Sequence, residues 1–120
     1  MNFSDLKGKT LTRAEKVRDD RMLFEDSDGK TYALYHSQDC CESVNIEDVS
    51  GDLSDLVDSP ILIAEESSSN TDPEGYKRDW PPESVTWTFY RIGTIKGTVV
   101  IRWLGESNGY YSESVEFAEA

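Results

Sequence analysis

The last third of the chain constrains the fold most. In "SVTWTFYRIGTIKGTVVIRWLGESNGYYSESVEF", Val85, Trp87 and Phe89 share one side of an extended backbone, and Val99, Ile101 and Trp103 share one side of the next run. Successive side chains of an extended chain point to opposite faces, so apolar residues at every second position mark strands with one face against a core. "GTIKG" reads as the turn between the first two runs. Asn108-Gly109 precedes the third and tolerates the left-handed backbone of a tight hairpin. The expectation is a meander of three antiparallel strands. No stretch shows helical periodicity over ten residues, so the class is mainly β, or β-dominated α+β, in a single antiparallel twisted sheet or partly open barrel with one short helix.

Upstream segments fit that class. Leu11 to Val17, Arg21 to Glu25 and Thr31 to His36 read as strands, the last two joined across Asp26-Ser27-Asp28-Gly29, whose Asp-Gly pair suits a hairpin turn. "SVNIEDV" sets Val44, Ile46 and Asp48 against Ser43, Asn45 and Glu47, the alternation of a half-buried strand. In "SGDLSDLVDSP" the spacing of Leu53 and Leu56, with Ser50 or Asp52 as cap and Pro60 beyond, allows one or two helical turns. Ile61 to Ala64 is a short apolar strand. Ser67 to Glu83 holds serines, Gly75 and three prolines without periodicity and reads as a long, mobile loop. Too little chain follows it to build a second core, so residues 1–120 are expected to form one domain.

Three Trp, six Tyr and four Phe among 120 residues supply enough burial for a stable core, despite a mean hydropathy of -0.60. No apolar run is long enough for a membrane span, and the N-terminus lacks the apolar segment of a signal peptide. A cytoplasmic protein is expected, in the host cytoplasm if phage-encoded, with no membrane partner. The net charge of -12 disfavours direct nucleic-acid binding. That charge is uneven. Residues 1–18 carry net +3, residues 19–74 carry -14 and residues 75–120 carry -1.

"YHSQDCCESV", Tyr35 to Val44, holds the single histidine and both cysteines. Adjacent cysteines sit closer than disulfide geometry prefers, so reduced thiols are expected. His36, Cys40 and Cys41 offer at most three zinc ligands, without the spaced pairs of a structural site. Asp39, Glu42, Glu65 and Glu66 can gather round a hard cation, but such groupings arise by coincidence in any acidic chain. Neither a metal nor another cofactor is expected. A cysteine nucleophile needs a base and an electropositive setting. On an extended chain His36 and Cys40 lie about 13 Å apart, and the anionic surroundings raise a thiol pKa. No persuasive catalytic set emerges, and a non-enzymatic role is favoured. A small core position for one cysteine and a sheet-edge position for the other suffice to explain the pair.

Glu113 shares a strand face with Tyr111, Val115 and Phe117, so its carboxylate either turns toward the core side, with Arg102 or a tyrosine hydroxyl as partner, or lies at a sheet end whose inward face is already wet. With Tyr35, His36, Asp39, Cys40, Glu42 and Tyr111 it forms a candidate ligand pocket. The carboxylates of the middle third have two readings. They keep a solvated surface charged, or Glu47, Asp48, Asp52, Asp55, Asp58, Glu65 and Glu66 form an interaction surface that imitates nucleic-acid phosphates.

"YHSQDCCESV", "TWTFYRIGTIKG", "IRW" and "GESNGYYSESV" together resemble an uncharacterised family of small proteins encoded by bacteriophages and bacteria, described only as a domain of unknown function. The resemblance extends from "LKGKT" to "SVEF". It implies a phage or prophage setting, in which small proteins without an enzyme signature bind and disable host components. The leading expectation is therefore an accessory protein that inhibits a host protein, such as a nucleic-acid-binding or defence protein, as an anti-CRISPR or similar anti-defence inhibitor does. The alternative is a small-molecule or nucleotide-binding protein, extending to a metal-assisted hydrolase, with its pocket around His36, Asp39 and Glu113. Exposed sheet edges also allow a homodimer.

Overall fold

The computed structural model describes residues 1–38, 41–77, 82–109 and 112–120. Among these residues there are eight strands: β1 (Leu11–Arg18), β2 (Arg21–Asp26), β3 (Thr31–Tyr35), β4 (Ser43–Ser50), β5 (Ile63–Ser69), β6 (Ser84–Thr94), β7 (Gly97–Ser107) and β8 (Glu116–Glu119). Two 3₁₀ turns, Phe3–Leu6 and Leu53–Leu56, complete the regular structure. The strands form two four-stranded antiparallel sheets, ordered β1-β2-β3-β8 and β4-β7-β6-β5. The class is mainly β as expected, with no closed barrel, but there are two sheets rather than a single one, and the short helical turns number two among the described residues.

The hairpins form where the turn residues favour them. Between β2 and β3, Gly29 takes φ 85°, and the Asp26 carboxylate accepts hydrogen bonds from the backbone N–H of Asp28 at 2.9 Å and Lys30 at 3.0 Å. The Tyr32 hydroxyl donates to the same carboxylate at 2.8 Å. Burial alone would raise the Asp26 pKa. These donors, with Lys9, outweigh it and hold the carboxyl below its ordinary value. Asp52 caps the second 3₁₀ turn by accepting from the Ser54 N–H.

The expected meander holds for β6 and β7, which pair from Ser84↔Ser107 to Thr94↔Gly97. The third run does not join it. β4 occupies the far side of β7, so the chain leaves after Ser107, crosses to the other sheet and pairs β8 with β3, Phe117 opposite Leu34. β5 also runs on through Ser69, so its last three residues lie in the segment read from sequence as a loop.

The register decides which face is inside. Val99, Ile101 and Trp103 of β7 point into the core with Tyr90 and Ile92 of β6. Val85, Trp87 and Phe89 therefore stand on the outer face of their sheet, where Trp87 pairs with Leu104. A bulge between Ile46 and Asp48 similarly breaks the alternation of β4: Asp48 lies opposite Arg102 on the outer face, and Val49 returns opposite Ile101 to pack on the core.

Phe3 wedges between the sheets, with ring centroids 4.8 Å from Tyr90 and 5.4 Å from Phe117 in edge-on contacts. Fully buried side chains of this size contribute about 1.5–3 kcal/mol each. One core thus joins the two sheets.

Candidate functional site

The crossing from β7 to β8 brings the two motif segments together. Its first anchor is Gly105 of β7: a Cβ added there would lie 2.8 Å from both the Cβ and the carbonyl oxygen of Glu113. Only a residue without a side chain lets the crossing segment lie so close. The Glu113 carboxylate is buried against β6 and β7, where the Thr86 hydroxyl donates to it at 2.8 Å and the Ser107 hydroxyl also donates. Ser107 Oγ in turn accepts from the Gly109 N–H at 3.0 Å. Arg102, the partner expected from sequence, instead binds Glu47, because it lies on the outer face.

His36 is the second anchor. Its Nδ1 lies 2.7 Å from the Ser114 carbonyl, which can only accept, so Nδ1 carries the proton and donates. Nε2 faces Glu42 Oε1 at 3.4 Å. Both side chains are almost wholly buried, His36 at 5% and Glu42 at 1% exposed. Tyr35 is half-buried at the end of β3, with the Arg21 guanidinium 5.6 Å from its ring centroid, and Cys41 is exposed. Asp39, Cys40 and Tyr111 lie outside the described residues. His36, Glu42 and Glu113 therefore meet the crossing segment from two sides, His36 through backbone and Glu113 through hydroxyls. Neither of the two cavities described below is lined by any of the three.

Those cavities open between β5, the last strand of its sheet, and the chain from Ser114 to Phe117 that leads into β8, the last strand of the other. The larger, about 570 Å³, is lined by Phe3, Ala64, Glu65, Glu66, Val115 and Phe117 together with Met1, Asn2 and Ser4. The smaller, about 210 Å³, shares Glu66 and Val115 with it and adds Ser68, Thr86, Thr88 and Ser114. Burial first, and the Glu66 carboxylate second, push the phenol of neighbouring Tyr90 well above its ordinary pKa. Sequence reading singled out Glu65 and Glu66 as acidic, but not the cleft, because its walls come from residues about 50 positions apart.

The seven acidic candidates do not share one face. Glu47 and Asp48 lie on β4 and Glu65 and Glu66 on β5, the two opposite margins of one sheet, about 14 Å apart across two intervening strands. Asp52, Asp55 and Asp58 cluster around the second 3₁₀ turn. All are exposed except half-buried Asp55.

Sequence reasoning also missed a polar-aromatic group on the outer face. Trp87 is fully buried there, its Nε1–H donating to Asp72 at 2.9 Å. Tyr76 packs edge-on to it at 4.8 Å, and the Arg102 guanidinium lies 5.2 Å from its ring centroid. Asp72 and Tyr76 fall in the segment without periodicity, so no pattern pairs them with Trp87.

Residues 4–117 match the family described as Domain of unknown function (DUF7448). The chain belongs to this family. The match spans both sheets, the crossing segment and every candidate position. No curated protein and no solved structure matches the chain. No helix among the described residues is long and apolar enough to cross a membrane.

Proposed function

We propose that this protein is a non-enzymatic phage or prophage accessory protein, acting in the host cytoplasm, that binds and inhibits a host protein through its acidic surface. Its targets are proteins with a basic, nucleic-acid-binding groove, such as components of anti-phage defence, as for an anti-CRISPR. The phage setting follows from the motif resemblance alone. The observation that carries the reading is the division of labour among carboxylates. Asp26, Glu42 and Glu113 are turned inward and engaged in holding the fold. Asp48, Asp52, Asp58, Glu65 and Glu66 are exposed and pair with no cation among the described residues. A chain that keeps this repulsion at its surface loses stability by it, which an oppositely charged partner offsets.

The inward direction of His36, Glu42 and Glu113 favours this reading over the small-molecule alternative. Affinity capture from host lysate, at about 50 mM and about 500 mM salt, tests it. The Debye length falls from roughly 14 Å to roughly 4 Å between these conditions, so a specific partner is expected at the lower salt and a much weaker one at the higher. Capture indifferent to salt, or no specific partner, overturns it.

A further inference from the structure

The four outermost strands of the two sheets are unequally protected against pairing with other chains. β1 and β4 carry bulges, and the Ile46 N–H of β4 is already taken by the Asp19 carbonyl at the β1–β2 turn. β8 has only four residues. β5 has seven, in unbroken register with β6; the first 3₁₀ turn packs against it, but no backbone hydrogen bond reaches Ala64–Ser68 from any segment other than β6 among the described residues. An extended edge of this kind is a template for strand pairing. Its side chains alternate in register, Glu66 and Ser68 toward the cleft and Glu65 and Ser67 opposite Arg91 and Phe89, while Glu65 also contributes with Ala64 to the lining of the larger cavity. Leu62, just before the strand, is 55% exposed.

We propose that the outer edge of β5 is a strand-addition site for an extended, lysine- or arginine-bearing segment of a partner protein. This rests on the proposed inhibitory binding and names its surface. Charge selects the occupant. A second copy pairing edge to edge would bring its own Glu65 and Glu66 against these two, and like charges across a ladder are destabilising. A cationic segment instead sets its charges against both glutamates. Its cleft-side stems can lie on Phe3, Val115 and Phe117, with the charged end at Glu66.

The probe is an octapeptide alternating lysine and threonine, with backbone amide exchange in the intact protein followed by NMR. The expected result is slowed exchange confined to Ala64–Ser68 amides. Binding should weaken at least about tenfold in Glu66→Lys, whose fold the same spectra report, and should be lost when alternate peptide nitrogens are methylated. Binding indifferent to methylation, or protection centred on β4 or the second 3₁₀ turn, overturns the β5 site while leaving the acidic-surface reading standing. No binding also overturns it, and the lysate experiment still judges that reading separately. Light scattering that shows a dimer dissociated by Glu66→Lys overturns the choice of a cationic occupant.

Discussion

Single residues in this protein owe their identity to what the crossing segment or a turn demands of them. Gly105 is the clearest case. Alanine there must displace the Glu113 backbone or bend β7, since the added carbon meets two atoms at 2.8 Å. Gly105→Ala should cost about 1–3 kcal/mol, measured by urea denaturation, with an unchanged fold by circular dichroism. Asp26 makes a prediction about pH. Its carboxyl is held below its ordinary value when folded, so the folded state binds its proton less readily than the unfolded chain. The stability it contributes is complete above about pH 5 and is lost as pH falls through and below about 4. Asp26→Asn should lower stability at pH 7 and flatten its acid dependence. An acid profile identical to wild type would show that the carboxylate contributes nothing through its charge. The partner Tyr32 hydroxyl is pushed up to about 12, by burial first and then by its bond to Asp26, so it stays protonated across that range.

Strands and turns show where local pattern suffices. The β2–β3 hairpin and the capped turn after Asp52 form at the positions their residues favour, because turn and cap chemistry acts over a few neighbours. β8 is different. Its alternation marks a strand, but alternation says nothing about which neighbour it pairs with, and β4 competes for the same side of β7. The result is a crossing at Ser107–Val115 that anchors on His36 and Glu113. Trp87 offers an element-level test. Trp87→Phe keeps a ring against Tyr76 but removes the donor to Asp72, which should cost about 1 kcal/mol. It should also speed amide exchange selectively over residues 72–76. Uniform exchange across the chain would mean that this bond does not hold the segment to the sheet.

Across the whole molecule, net charge dominates. At -12 over 120 residues, self-repulsion opposes the compact state, and salt screens it. The melting temperature should rise by a few degrees between 20 mM and 500 mM sodium chloride. A fall over that interval would indicate that the ion pairs of Arg102 with Glu47 and of Lys16 with Asp19 outweigh the repulsion.

Most of the strands, the turn chemistry and the uneven charge were legible from residues 1–120 alone, because each depends on side chains close together along the chain. Burial of the Glu113 carboxylate was one of two readings its alternating run allowed; Glu113 lies outside β8 and is buried through the hydroxyls of Thr86 and Ser107. The division into two sheets, the inner and outer faces of β6 and the crossing of the chain to β8 were not legible. Nor was the cleft between Phe3, Glu66 and Phe117. Each depends on long-range register, which a period-two pattern leaves open: Val85, Trp87 and Phe89 look as fit for the core as Val99, Ile101 and Trp103. Strand pairing alone turned one set outward and the other in.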